Sequence, residues 1–175
     1  MKLKGSKTEK NLLSAFAGES QARNRYTFFA SASKKEGYEQ IASIFLETAE
    51  NEKEHSKRFF SFLEGGMAEF TAIFPAGIIG TTVQNLKAAA AGEHEEWTSL
   101  YRGFGEIAEE EGFLSVAAAY RYVANVEIEH VKRYLKLLEN IEKGTVFKKD
   151  SSTIWFCRNS GYHHEGPEAP GQCPT

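Results

Sequence analysis

The sequence predicts a mainly α protein: a bundle of four long helices with one long crossover, followed by a small β- and loop-rich module. Three observations predict it. Four segments carry residues of one character at steps of three and four, the period of a single helix face. The second pair of segments repeats the first at a nearly constant offset. After Gly144 the composition turns to Gly, Pro, Cys and His, and the helical period stops.

The first helix spans residues 6–35. Ser6 with Glu9 is a capping-box pattern, and Thr8 is a competing cap. Leu12, Phe16, Tyr26 and Ala30 recur at helical spacing, and Glu19 shares their stripe. Gly37 suits a C-terminal cap, and the second helix runs from Tyr38 to Glu64. Its seam is Ile41, Phe45, Thr48, Glu52, His55, Phe59 and Phe62. Gly65-Gly66 stops it. Residues 67–80 show no helical period and contain Pro75. The third helix starts at Thr81 or Thr82 and continues to Glu111, with the stripe Leu86, Ala89, Glu93, Glu96, Leu100, Gly103, Ile107. Gly112 breaks it. The fourth covers 113–143 with Val116, Tyr120, Val123, Glu127, His130, Tyr134 and Leu137 on one face.

The repeat fixes how these helices pair. Asn11-Leu12 and Ala17-Gly18-Glu19 match Asn85-Leu86 and Ala91-Gly92-Glu93 at an offset of 74. Glu36-Gly37, Glu52-x-x-His55 and Lys57-Arg58-Phe59 match Glu111-Gly112, Glu127-x-x-His130 and Lys132-Arg133-Tyr134 at an offset of 75. Two hairpins built alike pack about a pseudo-two-fold axis. Tight turns at Gly37 and Gly112 make each hairpin antiparallel. Helices of this size are ~40–47 Å long at ~1.5 Å per residue. The segment 65–80 reaches ~50 Å when extended, enough to cross the whole bundle and set the third helix parallel to the second. One long crossover in a four-helix bundle is the ferritin-like arrangement. The expected division is residues 1–144 for the bundle and 145–175 for the small module.

Composition narrows the function. The chain has 175 residues, 26% charged and 41% hydrophobic, with a net charge of −3. That is an ordinary soluble balance without a basic patch, so nucleic acid is not an expected partner. The weakly polar run Phe70–Val83 is too short and broken to span a bilayer, and the N-terminus has no apolar signal core. Cys157 and Cys173 are the only cysteines, which is not a disulfide framework, and the expected setting is the cytoplasm.

The chemistry lies on the seams. A buried unpaired carboxylate costs roughly several kcal/mol unless something compensates it, and a metal ion is one such compensation. Each hairpin offers a Glu from its first helix, Glu19 or Glu93, and a Glu-x-x-His from its second, Glu52/His55 or Glu127/His130. Residues three apart sit one turn apart on one face, within reach of one metal. Two single glutamates and two Glu-x-x-His pairs are the ligand set of a di-iron or di-manganese carboxylate site. Oxygen-rich ligands with two imidazoles suit iron or manganese. Glu96 is a surplus carboxylate that allows the site to rearrange as its charge changes. Tyr26 and Tyr101 lie near the seam and serve either as packing or as hydrogen-bond donors to ligand carboxylates. Glu106, Glu109, Glu110 and Glu111 read as a solvated helix end, Glu54 and Glu129 lie off the seam, and His94 reads as exposed.

These motifs carry a family resemblance. GESQARNRY, ENEKEH, FPAGIIG, AAGEHEEW and EIEH, followed by CRNxGYxHEG and CP, resemble the rubrerythrins over essentially the whole chain. The resemblance implies a ferritin-like domain holding two iron ions and a rubredoxin-like C-terminal domain holding one. It implies that Glu52 and Glu127 bridge the irons and that Glu19 and Glu93 are terminal. His130 would bind one iron, and His55 and Glu96 would exchange on the other. It further implies a cytoplasmic oxidoreductase that reduces hydrogen peroxide to water. Rubredoxin and/or an NADH-linked reductase would supply the electrons, in a homodimer or larger homo-oligomer.

The tail departs from the pattern. The family's first knuckle is C-x-x-C, whereas here Cys157-Arg158-Asn159-Ser160 ends in a hydroxyl. The second, C-P-x-C, reads Cys173-Pro174-Thr175 as far as the sequence runs. Two of the four thiolates of a rubredoxin-type site are absent from these residues, which puts the mononuclear iron in doubt. Ser160 as an alkoxide, or His163 or His164, is the alternative ligand. Trp155, Phe156 and Tyr162 give the expected ribbon a minimal core. Two rival readings stand beside the peroxidase: a ferroxidase that handles iron, and a structural helical dimer that binds metal incidentally.

Overall fold

The computed structural model describes residues 2–175. Helix α1 (Lys7–Lys35) and α2 (Glu39–Phe60) form the first hairpin. Helices α3 (Thr82–Glu95) and α4 (Tyr101–Glu110), joined by a π-helical turn (Glu96–Leu100), run on into α5 (Leu114–Glu142) as the second. Strands β1 (Lys148–Phe156) and β2 (His163–Glu168) make a two-stranded antiparallel ribbon. The expected ferritin-like bundle with its small appended β module is what the chain forms.

Both hairpin turns close in the same way. Gly37 and Gly112 have φ of 85° and 79°, a left-handed conformation that a Cβ would strain. After each, one amide reaches back five residues: Tyr38 N donates to Ser33 O at 2.9 Å and Phe113 N to Ala108 O at 2.7 Å. Ser6 caps α1 by accepting from Glu9 N, and Thr81 caps α3 in a capping box with Gln84.

The two hairpins also cap each other. The Glu111 carboxylate accepts from Lys7 N at 3.2 Å, Thr8 N at 2.9 Å and Thr8 Oγ1 at 2.6 Å, at the start of α1. Glu36, its counterpart at the offset of 75, accepts from Thr82 N at 3.0 and 3.2 Å, at the start of α3. A carboxylate at a helix N-terminus satisfies free amides and opposes the helix dipole. Glu111 is therefore not the unpartnered residue that the sequence suggests; the Thr8 hydroxyl above all, and then the Thr8 and Lys7 amides, hold its carboxyl below the ordinary range.

These contacts set the topology. The start of α1 meets the end of α4, and the start of α3 meets the end of α1, so α1 runs against α3–α4. Since α2 runs against α1, α3 is parallel to α2. The chain between Phe60 and Thr82 therefore traverses the bundle. It passes over α1 at Gly18, where an added Cβ would stand 3.6 Å from Phe74 Cε1. Asn85 clamps its end, accepting from Gly80 N and donating to Gly80 O, both at 2.9 Å.

Two elements differ from the pattern in the sequence. Helix α2 stops at Phe60, four residues short of Glu64. The third helix is not one α-helix: the wider turn Glu96–Leu100 inserts a residue into the repeat. Beyond it the buried positions are Tyr101, Gly105 and Ala108: the first and last are one later than the projected Leu100 and Ile107, and Gly105 is two later than Gly103. Leu100 itself is exposed.

The core divides into two aromatic groups. Tyr26, Phe45 and Tyr134 have ring centroids 5.2–6.0 Å apart. Tyr101, Tyr120 and Phe59 have theirs 5.0–5.8 Å apart. The offset of 75 maps one trio onto the other, with a Phe and a Tyr exchanged at two corners. Between them lies the polar centre.

Candidate metal centre

Six of the seven predicted seam residues converge. Glu19 comes from α1, Glu52 and His55 from α2, Glu93 from α3, and Glu127 and His130 from α5. All but His55 are at most 2% exposed. Each Glu-x-x-His places its two side chains one above the other on a helix face.

The donors form two groups. Ligand atoms of Glu19, Glu52, His55 and Glu127 lie within 4.8 Å of one another, as do those of Glu52, Glu93, Glu127 and His130. Glu52 and Glu127 belong to both. Their oxygens divide accordingly: Glu52 Oε2 and Glu127 Oε1 lie 2.8 and 2.9 Å from His55 Nδ1. Glu52 Oε1 and Glu127 Oε2 lie 3.2 and 2.7 Å from His130 Nδ1. Glu19 and Glu93 approach the two imidazoles from outside, each at 3.9 Å.

Of these approaches one is a hydrogen bond, between His55 Nδ1 and Glu52 Oε2 at 2.8 Å. Glu19 Oε2, Glu52 Oε1, Glu93 Oε2, both oxygens of Glu127 and His130 Nδ1 are buried with no hydrogen-bond partner. A buried orphan polar atom costs about 1–3 kcal/mol, more when charged. Six orphans around two shared carboxylates mark donors turned toward common points rather than toward each other. Four carboxylates and two imidazoles in that arrangement fit two divalent cations of hard-to-borderline character.

Without a cation the charges strain against each other. Burial raises the Glu19 carboxyl well above its ordinary value, and the Glu96, Glu52 and Glu127 charges add to that. Burial and Glu127 push Glu93 up to about 7. Burial alone would lower both imidazoles, but Glu127 and Glu52 outweigh it and hold His55 at about 9 and His130 at about 12.

Tyr26 and Tyr101 do more than pack. Tyr26 Oη donates to Glu93, and Tyr101 Oη donates to Glu19. Each phenol crosses from one repeat to the single seam glutamate of the other repeat's first helix. The sequence left this role open because a one-helix stripe says nothing about what lies across the bundle. Tyr101 reaches Glu19 because the π turn delivers it to the core.

Glu96 stands apart. It opens the π turn, half-buried beside Glu93, and joins neither donor group. Burial and the Glu93 charge raise its carboxyl well above the ordinary range. His55 is the one member of the six with appreciable side-chain exposure, 13%. His94 is exposed and packs edge-on against Trp97.

In the C-terminal module, Cys157 directly follows β1 and opens the turn, and Cys173 follows β2; both thiols are free and half-exposed. Ser160 Oγ lies 3.1 Å from Cys173 Sγ. Among the described residues no imidazole or carboxylate joins the two cysteines in one donor group. His163 and His164 instead pair across the ribbon with Phe156 and Trp155. A four-thiolate iron does not fit a first knuckle whose second position is a hydroxyl.

Comparison with known proteins agrees with this architecture. The rubrerythrin family model matches residues 10–138. A rubrerythrin of Porphyromonas gingivalis is 66% identical over 173 residues, covering 99% of this chain and 86% of that protein. One of Nitratidesulfovibrio vulgaris is 55% identical, covering 99% and 91%. The structure of fully reduced, all-ferrous nigerythrin superposes with a TM-score of 0.69 at 32% identity, covering 98% of this chain and 85% of that one. This chain belongs to the rubrerythrin family.

Proposed function

We propose that this chain is a non-haem di-iron peroxidase that reduces hydrogen peroxide to water. The observation that carries the reading is the sharing of Glu52 and Glu127 between two donor groups, six of whose buried atoms lack hydrogen-bond partners. Glu52 and Glu127 would be shared by the two ions, with Glu19 and His55 holding one and Glu93 and His130 the other. Two ferrous ions, when bound, supply the two electrons that cleave the O–O bond.

The protein's own residues do the rest. H2O2 takes up two electrons and two protons to give two waters. Glu96, its carboxyl raised by burial and by the Glu93 charge, is the group beside the site suited to carry and deliver a proton. Once deprotonated, Glu96 would be an anionic replacement for His55 as a donor, matching the higher charge of the oxidised pair. His55 is suited to leave because it alone sits at the solvent edge. Tyr26 and Tyr101 hold the terminal glutamates in place. An external rubredoxin and/or an NADH-linked reductase returns the electrons.

Exposed apolar side chains on the crossover, Met67, Ile73, Ile78 and Ile79, support assembly into a homodimer or larger homo-oligomer. Among the described residues no helix is long and apolar enough to cross a membrane, in keeping with a cytoplasmic setting. Ser160 in the relay knuckle favours a second reading, a ferroxidase that oxidises Fe2+ with oxygen for iron handling. Stopped-flow mixing of the diferrous protein with peroxide and with oxygen separates the two. The peroxidase reading expects much faster oxidation by peroxide; equal or faster oxidation by oxygen overturns it. Glu52→Ala is expected to bind fewer than two irons per chain, and unchanged stoichiometry and spectra would remove Glu52 from the site.

A further inference from the structure

A cleft of about 340 Å³ opens between the two helices of the first hairpin, lined by Ser20, Arg23 and Asn24 of α1 and by Lys53 and Ser56 of α2. Its deepest members are two hydroxyls. Ser20 Oγ donates to Phe16 O at 2.6 Å, so in its 3.1 Å contact with Ser56 Oγ the Ser56 hydroxyl is the donor. Ser20 follows Glu19 in the chain, and Ser56 follows His55. The same two helices therefore meet at two depths. At the cleft they meet hydroxyl to hydroxyl, with Ser56 8% exposed. Further in, Glu19 Oε1 stands 3.9 Å from His55 Nδ1, at the one cation position whose imidazole has appreciable exposure. The mouth of the cleft is cationic. Arg23 and Lys53 share one partner, Glu50, at 3.5 and 2.8 Å, which leaves one positive charge over. The second hairpin does not repeat these features. The counterparts of Ser20, Lys53 and Ser56 at the offsets of 74 and 75 are His94, Ile128 and Val131, with no hydroxyl pair and no lysine.

We propose that this cleft is the entrance by which peroxide reaches the His55-side cation position, with Ser20 and Ser56 as its gate and Arg23 and Lys53 as a charge filter at its mouth. The proposal rests on the peroxidase reading above. Hydrogen peroxide donates and accepts hydrogen bonds, so a layer of two short hydroxyl side chains passes it as it would pass water. Dioxygen gains nothing from such a layer. The positive mouth admits neutral molecules and small anions and repels Fe2+, the opposite of the acidic funnel that an iron-collecting site needs. The entrance belongs to one hairpin alone, and it opens beside the ligand that the reading above assigns to leave.

Azide tests the entrance without turnover, because it is a small anion whose binding to ferric iron is seen in its absorption. Stopped-flow mixing of azide with the oxidised, iron-loaded full chain gives its association and dissociation rates. Ser56→Val, which copies the counterpart Val131, is expected to slow both rates severalfold by the same factor and leave Kd unchanged, since a gate alters passage in both directions and not the equilibrium. Lys53→Glu lies on the exposed rim and leaves the packing alone. It is expected to slow azide association and to abolish the fall of the native rate with added salt. Unchanged rates in Ser56→Val would place entry elsewhere, as through the larger cleft of about 910 Å³ beside Tyr101 and Ile128, and would overturn the proposal. A changed Kd at an unchanged association rate, or the same salt dependence in Lys53→Glu as in the native protein, would also overturn it. Ser56→Val slows azide whether peroxide or oxygen is the faster oxidant of the diferrous protein, so failure of the entrance and failure of the peroxidase reading are told apart.

Discussion

Tyr101 shows how much of the centre depends on side chains that would bind no metal. Its phenol is buried and donates to Glu19, fixing one oxygen and leaving the other orphaned toward the cation position. Burial raises the phenol well above its ordinary range, so it stays a donor at any working pH. Removing an orienting hydrogen bond of this kind lowers metal affinity on the order of 10–100-fold. Tyr101→Phe is therefore expected to bind two irons per chain but to lose them to a chelator sooner than the native protein. Equal retention would mean that the hydrogen bond only packs. The seam residues were legible in the sequence because Glu-x-x-His against apolar neighbours is a chemical contradiction that a metal resolves. Tyr26 and Tyr101 were half-legible, and Glu111 was misread, since their partners lie on the other hairpin.

At the scale of elements, the π turn is the feature that a uniform 3.6-residue period hides. Its trace was in the repeat all along: the offset is 74 as far as Glu93 and 75 from Tyr101 onward, counting Tyr26 as the partner of Tyr101. One residue is inserted between them, where the turn lies. Deleting Thr98 should convert the turn to ordinary α-helix and restore the seven-residue spacing that Glu19 and Tyr26 have in α1, so that α4 keeps its face. Tyr101 then still reaches Glu19, and Gly105 and Ala108 keep the interface with α5. The deletion variant is expected to bind two metals and to melt near the native protein. Loss of metal and a much lower melting temperature would show that the π turn itself, and not the register alone, holds α4. Strand positions were less legible than helices, because ribbon residues 148–168 are mostly exposed and carry little hydrophobic pattern.

For the whole molecule, the metal-free fold carries a load of protons. Glu93 has an ordinary value of 4.5 and titrates at about 7 in the fold, so its contribution to stability is whole below 4.5 and lost as pH rises through about 7. The two imidazoles act with the same sign: their contributions are whole below 6.5 and fade through about 9 for His55 and about 12 for His130. Metal-free protein is thus expected to melt at lower temperature as pH is raised from about 5 to 9. Metal affinity moves the other way, because the cations displace those protons. Thermal melts with and without Mn2+ across that range check both slopes, and a metal-free melting temperature that rises with pH would contradict the charges assigned here.

The inserted residue has one more effect. Two equal hairpins around a two-fold axis would make the two cation positions interchangeable, with equal affinities and equal potentials. The π turn exists only in the second hairpin, and the acid it introduces, Glu96, corresponds to Gln21 or Ala22 in the first. A single extra amino acid thus lifts the degeneracy of the pair. In the proposed reading one position would keep a closed and permanent set of donors. The other, at the His55 edge, would have a choice, and the molecule would acquire a direction.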